Sequence, residues 1–251
     1  MPPKIPVKTP EEIEIMRRGA RILKEVLLKM EEVAAPGIST YEMDCIAEEV
    51  IRSYDDALPG FKGYHGFPAT LCTSINEEVV HGIPSKDRVL KDGDIIGVDS
   101  GVLLGGFYTD ACRTFCIGNV SPEVRHFVKT TKEALKNSLK FLHDGAYIGT
   151  ISSVIQDTLE RQGYMPVIEC TGHGVGTHLH EPPEILNVGR KNTGPIVSSG
   201  MVLAIEPIAV MGSGRVITAP DGWTVISADK SLSAHFEHTV LVTKNGCEIL
   251  V

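Results

Sequence analysis

An α+β domain built from two similar halves is the fold class this sequence predicts, and three observations carry it. A long helical stretch, a glycine break, a shorter helical stretch and a tyrosine occur near the start, then again about 110 residues later, as in a duplicated unit. After each helix pair the texture turns to short β-type runs bounded by glycine. The 251 residues, 42% hydrophobic and 22% charged, suit one large domain or two small ones with a full core.

The elements follow in order. Thr9-Pro10-Glu11-Glu12 supplies an N-cap, a first-turn proline and a capping-box glutamate. Ile13, Met16, Ala20, Leu23, Leu27 and Met30 keep a helical period until Ala35-Pro36-Gly37 stops it. Ser39-x-x-Glu42 opens a second helix through Ile46, Val50 and Ile51, ending near Tyr54. Strands are expected at Val79-Val80, at 94–104 and at 107–117, the last two flanking Gly105-Gly106. In the second half Ser121-Pro122-Glu123 opens a helix through Phe127, Leu135 and Leu139. Asp144-Gly145 breaks it, and a shorter helix runs through Ile155 and Leu159 to Tyr164. Strands are expected at 167–170, 201–210, 215–219, 223–227 and 234–243. Prolines and lysines in residues 1–8 predict a short flexible arm ahead of one domain, 9–251, with halves at about 9–120 and 121–251. A duplicated fold of this kind favours a site in the cleft between the halves.

Composition removes several classes of function. A net charge of −8 argues against direct nucleic-acid binding, which favours a basic face. No apolar run reaches the ~18 residues of a membrane span, and Met1-Pro2-Pro3-Lys4 does not begin a secretory signal. The six cysteines are scattered, without paired CxxC spacing, which predicts free thiols in a reducing, cytoplasmic setting.

The carboxylates point to a cation. Asp99 and Asp110 lie on the two strands that flank the glycine pair. A two-residue loop at Leu104-Gly105 would set them directly opposite each other, with Cβ atoms ~4.5–5.5 Å apart. Two ionised carboxylates there must share a proton or a cation, or one must face solvent through a shifted register. Glu206 interrupts the apolar run Met201-Val202-Leu203-Ala204-Ile205, and Glu237 lies in another apparent strand. A glutamate in such a run is seldom buried unless paired or coordinated. His173, in Gly172-His173-Gly174, has neighbours that let backbone approach closely. Four carboxylates balance two divalent cations, and bridging carboxylates would let five side chains hold both.

Competing motifs are weaker. His180-Glu181-Pro182-Pro183-Glu184 lacks the second histidine of a zincin, and its prolines forbid the helix. There is no GxSxG or P-loop, and the glycines around His173 do not have the dinucleotide spacing. His173, His178 and His180 offer a one-zinc alternative, which leaves the four acids without a role.

Taken together these residues closely resemble the type I methionine aminopeptidases, members of the M24 pita-bread metallopeptidases. The resemblance is carried by Asp99 and Asp110 on a hairpin, Thr171-Gly172-His173-Gly174, Ile205-Glu206-Pro207 and Ser233-Ala234-His235-Phe236-Glu237-His238-Thr239. Gly63-Tyr64-His65-Gly66-Phe67-Pro68, Ser74-Ile75-Asn76-Glu77, His81-Gly82-Ile83-Pro84 and Asp221-Gly222-Trp223 extend it from about Thr9 to Val251. It is a resemblance to the short form, without the zinc-binding extension of eukaryotic members or the helical insertion of type II enzymes. The pita-bread fold it implies is internally pseudo-symmetric, in keeping with the duplication.

The resemblance implies that Asp99 chelates one metal, that His173 and Glu206 chelate the other, and that Asp110 and Glu237 bridge both. The ions expected are Co²⁺, Mn²⁺, Fe²⁺ or Zn²⁺, which the ligand set does not separate. Glu206 would shuttle protons, and His81 and His180 would hydrogen-bond the scissile amide and the developing oxyanion. Tyr64, Phe67, Cys72, His81, His180 and Trp223 would form the substrate site, largely apolar contacts suited to a thioether. Phe67 stands where bacterial relatives commonly have tyrosine, Phe61 where many have cysteine, and Leu179 where many have phenylalanine. Asn76 and Ser233 match a structural monovalent-cation site, and equally suit hydrogen bonding in turns.

The expected reaction is removal of the N-terminal methionine from nascent polypeptides, favouring a small second residue, with transient ribosome contact. The protein is expected to be a cytoplasmic monomer. Two alternatives stay open: an Xaa-Pro aminopeptidase or prolidase activity, which uses the same five ligands, and a pita-bread binding module without catalysis.

Overall fold

A computed structural model describes residues 5–251; Met1, Pro2, Pro3 and Lys4, half of the expected arm, lie outside it. In chain order the elements are α1 (Pro10–Val33), α2 (Thr40–Arg52), β1 (Ala57–Pro59), β2 (Leu71–Ile75), β3 (Glu78–Val80), β4 (Ile95–Leu104) and β5 (Phe107–Cys116). The second half has α3 (Pro122–Leu139), α4 (Ile148–Glu160), β6 (Met165–Pro166), β7 (Gly172–Gly174), β8 (Glu181–Ile185), β9 (Val202–Ile205) and β10 (Ile208–Val210). It closes with β11 (Val216–Thr218), β12 (Val225–Ser227), β13 (Ser233–His235), β14 (His238–Thr243) and β15 (Gly246–Ile249).

Each helix pair covers its own antiparallel sheet. The capping boxes form as expected, Thr9 with Glu12 and Ser39 with Glu42, and Ser121 caps α3. Removing such a cap typically costs about 1 kcal/mol. The α1 stripe of Met16, Ala20, Leu23, Leu27 and Met30 is buried, and α1 packs on α2, β4 and β5. In this half β4 is central, pairing with β1, β2 and β5. The second helix pair packs against the interior of a five-stranded sheet ordered β15-β14-β9-β7-β8. Two smaller sheets, β13-β10-β6 and β11-β12-β3, complete the fold; the latter joins the halves, since β3 belongs to the first. The C-terminal Val251 returns to the core of the first half. All six cysteines are free.

Several expectations are corrected. The β4–β5 loop is Gly105-Gly106, both at positive φ (55° and 83°), as the two-residue hairpin turn that matches strand twist requires. Asp99 therefore pairs with Cys112, and Asp110 with Gly101. The shift is by two residues, so both carboxylates keep the same face as diagonal neighbours. Residues 167–170 are not a strand: the ladder with β10 is Met165 and Pro166, the Val167 amide adds one bond to the Ile208 carbonyl, and 168–170 bend away. The runs 201–210 and 234–243 are each broken, at Glu206-Pro207 and at Phe236-Glu237. Both glutamates thus sit in interruptions between strands, and Pro207 lacks the N–H a ladder needs.

Residues 5–8 do not behave as a flexible arm. Ile5 packs on the second-half core, the Lys8 amide donates to the Gly200 carbonyl at 2.9 Å, and the Lys8 side chain is buried.

Candidate active site

Five side chains from both halves converge where the first sheet faces the five-stranded one. Asp99 and Asp110 project from β4 and β5, and His173 from β7, while Glu206 follows β9 and Glu237 precedes β14. His173 Nε2 lies 3.9 Å from Asp110 Oδ2, 3.7 Å from Glu206 Oε1 and 4.0 Å from Glu237 Oε1. Donor atoms of Asp110, His173 and Glu237 all lie within 4.8 Å of one another. β7 can hold His173 there because its neighbours have no side chain. A Cβ on Gly172 would lie 2.5 Å from the Ala204 carbonyl oxygen, and one on Gly174 2.3 Å from that of Pro182.

The electrostatics favour a cation. Burial first, and then the neighbouring carboxylates, push Asp110 and Glu237 well above the usual carboxylate range. Burial raises Asp99 to about 7 against the lowering influence of His235. Among the described residues, the buried Asp99 Oδ1, Asp110 Oδ1, Glu237 Oε1 and His235 Nε2 have no hydrogen-bond partner. Orphaned buried acceptors are costly unless something else satisfies them. His173 Nδ1 lies 2.9 Å from the Gly174 carbonyl. That carbonyl accepts only from an N–H, so Nδ1 carries a proton and Nε2 is the nitrogen turned toward the carboxylates, the orientation a metal-ligating imidazole needs. A divalent metal fits this donor set, oxygen-rich with one imidazole.

Two cavities meet at this floor. The smaller, ≈ 170 Å³, is lined by Tyr64, Phe67, Cys72, His81, His180 and Trp223, the six expected substrate-site residues, and by Phe61, Leu179, Asp99, Asp110, His173 and Glu206. Its wall is aromatic: Phe67 and Trp223 pack edge to face, with centroids 5.2 Å apart. The larger, ≈ 1180 Å³, shares His81, His173, His180 and Glu206 and runs on past Cys170, Thr171, Pro182, Pro183 and Ile196. The larger space is a groove leading away from the cluster; the smaller holds the chemistry's apolar end.

His180 Nδ1 lies 3.2 Å from Tyr64 Oη, and its ring packs edge-on to His173 with centroids 4.4 Å apart. His81 and His180 keep an exposed edge, yet desolvation by the cleft walls, and then His173, lower His180 to about 4, and the same desolvation lowers His81. Both are therefore neutral hydrogen-bonding groups near pH 7. His81 also holds a left-handed backbone (φ 61°), a strained conformation of the kind that clusters at functional sites.

Other candidates fall elsewhere. His178 is exposed, with its Nδ1 beside Thr177 Oγ1, so the three-histidine alternative is not assembled. The Asn76 side chain donates to Asp94 and accepts from the Ile95 amide. The Ser233 hydroxyl donates to the Ala209 carbonyl, and its amide to the Asn76 carbonyl. One residue escaped the sequence reading: His235 is buried in the small cavity, with Nε2 3.3 Å from Glu206 Oε2. Its separation from Glu237 by two residues, the period of a strand face, was the available signal.

Comparison with known proteins finds relatives over nearly the whole chain. The family model described as "Metallopeptidase family M24" matches residues 14–244. A methionine aminopeptidase of Clostridium acetobutylicum is 48% identical over 244 residues, covering 97% of each chain. That of Escherichia coli K12 is 41% identical over 246 residues, 98% of this chain and 93% of the other. Among solved structures, methionine aminopeptidase from Thermotoga maritima superposes with a TM-score of 0.97 at 40% identity, covering 98% of this chain and 99% of that one. Prolidase from Pyrococcus furiosus gives 0.78 at 25% identity, with 97% of this chain but 64% of the prolidase covered.

Proposed function

The chain belongs to metallopeptidase family M24, and we propose that it hydrolyses the N-terminal methionine from nascent polypeptides, favouring a small second residue. The observation that carries this reading is the pair of cavities. An apolar-walled pocket sized for one side chain ends at the acid–imidazole cluster, and a much larger open cavity continues from the same His81, His173, His180 and Glu206. A peptide fits such a site with one residue in the pocket and the rest trailing out, which is the geometry of an exopeptidase.

Asp99, Asp110, His173, Glu206 and Glu237 would hold two divalent ions, Co²⁺, Mn²⁺, Fe²⁺ or Zn²⁺, which when bound supply Lewis acidity to the scissile carbonyl and the attacking water. Glu206 lines both cavities and would take a proton from the water and deliver it to the leaving amine. Neutral His81 and His180 flank the same floor and would hydrogen-bond the amide and the oxygen on which charge develops; removing one such stabiliser costs about 10²–10³ in rate. Phe67, Cys72 and Trp223 enclose the methionine side chain and exclude water, giving sulfur polarisable contacts. Asn76 and Ser233 remain a proposed monovalent-cation site, and residues 9–251 are taken to act as one catalytic unit. A cytoplasmic monomer touching the ribosome transiently is the setting that suits this substrate. No helix among the described residues is long and apolar enough to cross a membrane.

Xaa-Pro cleavage is the second reading, because the prolidase fold superposes. The full-length match to methionine aminopeptidases favours the first. Release of methionine from Met-Gly-Met-Met, with no cleavage of an Xaa-Pro peptide, is the expected result; the opposite pattern would reverse the assignment.

A further inference from the structure

Lys8 makes a contact that the expected flexible arm would not allow. Its Nζ lies 2.5 Å from Glu181 Oε2, with the two side chains 4% and 5% exposed. The other carboxylate oxygen of Glu181 accepts from Thr177 Oγ1 and from the His178 amide, both at 3.1 Å. Glu181, the first residue of β8, thus ties itself to Thr177 and His178 in the middle of the turn that joins β7 to β8. That turn carries Leu179 and His180, both lining the small cavity, and His180 is the residue immediately before Glu181. The ammonium also occupies a fitted socket. A Cβ on Gly176 would lie 2.4 Å from Lys8 Cε and 2.5 Å from its Nζ, so the bare glycine makes room for it. The segment carrying Lys8 is itself anchored at Gly200.

We propose that Lys8 is a positioning residue: acting through Glu181, it fixes the 176–180 turn so that His180 meets the scissile bond. This rests on the reading of the site given above. The pair needs to be buried to do this, since an exposed one would be worth little. Its dense surroundings turn a loss of the ammonium into a shift of the turn, and misplacement by about 1 Å can cost 10²-fold in rate.

The test is steady-state hydrolysis of Met-Gly-Met-Met by manganese-loaded Lys8→Met, alone and in a His180→Ala background, with manganese affinity measured by calorimetry. The Lys8→Met/Glu181→Gln double variant, which leaves no lone buried charge, is assayed beside it so that misfolding is not mistaken for mispositioning. The expected result is a fall in kcat of about tenfold or more in both Lys8 variants. KM and manganese affinity should stay within about twofold, and Lys8→Met should change kcat less than about twofold once His180 is gone. An equal loss with and without His180, a parallel loss of manganese affinity, or an unchanged kcat would each overturn the role given to Lys8. If the wild-type protein released no methionine, the reading of the site would fall, and this role with it.

Discussion

Asp110 and Thr239 exchange a pair of hydrogen bonds across the two halves of the chain. The Asp110 amide donates to Thr239 Oγ1 at 2.9 Å, and that hydroxyl donates to the Asp110 carbonyl at 2.7 Å. One side chain thus satisfies both backbone groups of a residue in the acidic cluster and ties β5 to β14. The Glu237 amide, donating to the Cys112 carbonyl at 3.0 Å, adds a second stitch. Thr239 is fully buried, so Thr239→Val should cost about 1–3 kcal/mol by orphaning a buried N–H and C=O. It should also weaken manganese binding, because Asp110 and Glu237 are no longer held together. Denaturation and calorimetry check this; a cost below about 0.5 kcal/mol, the range of an ordinary surface substitution, with unchanged manganese affinity would refute it.

Neutralising one carboxylate should have opposite effects with and without metal. Glu237 is raised well above the usual carboxylate range, by burial and then by Asp110. A carboxyl raised on folding is costly in its ionised form, so Glu237→Gln should melt higher than wild type in chelator. Manganese at a hundred times its Kd should stabilise the wild type by about 2.7 kcal/mol and the variant far less. Thermal scans in chelator and in manganese would show the two curves crossing; parallel curves would contradict the account.

Trp223, the chain's single tryptophan, should report on the pocket. Its edge-to-face contact with Phe67 belongs to a class worth about 0.5–1.5 kcal/mol. Trp223→Ala should lower kcat/KM for methionyl peptides about two- to tenfold, the size of a lost contact between the methionine sulfur and the indole, ~0.3–1.5 kcal/mol. Methionine should also change the emission of the wild-type protein. An unaltered spectrum at saturating methionine would place the side chain elsewhere.

Acid should dissolve the Lys8–Glu181 contribution to stability. Burial raises the Glu181 carboxyl, but the Lys8 ammonium, the His178 amide and the Thr177 hydroxyl outweigh it and hold the group below its usual 4.5. A carboxyl lowered on folding contributes stability that is complete above its unfolded value. That stability disappears as pH falls through the folded one. The difference in Tm between wild type and Glu181→Gln should be largest near pH 7 and shrink as pH falls below the usual 4.5 and through the lowered folded value, where the wild-type carboxyl takes up a proton. A difference independent of pH would show that the charge contributes nothing.

Local signals were legible in the sequence and long-range ones were not. The capping boxes at Thr9 and Ser39 involve residues three apart, and both form. The shared face of Asp99 and Asp110 follows from the strand period, which survives a two-residue slip, whereas the register depends on which residue pair turns. Glu206 and Glu237 were visible as acids in apolar runs. That the runs break at them reflects Pro207 and the meeting of separate sheets. Lys8 looked like part of a basic, proline-rich arm because its partner is Glu181, far along the chain. His235 passed unnoticed beside Glu237, since only the fold shows that its nitrogen faces Glu206.

The most direct test is methionine release from Met-Gly-Met-Met by chelator-treated protein titrated with manganese. No turnover is expected without metal, turnover should rise with bound manganese, and Glu206→Gln should show none at any loading. Hydrolysis by the metal-free protein, or an unimpaired Glu206→Gln enzyme, would contradict it.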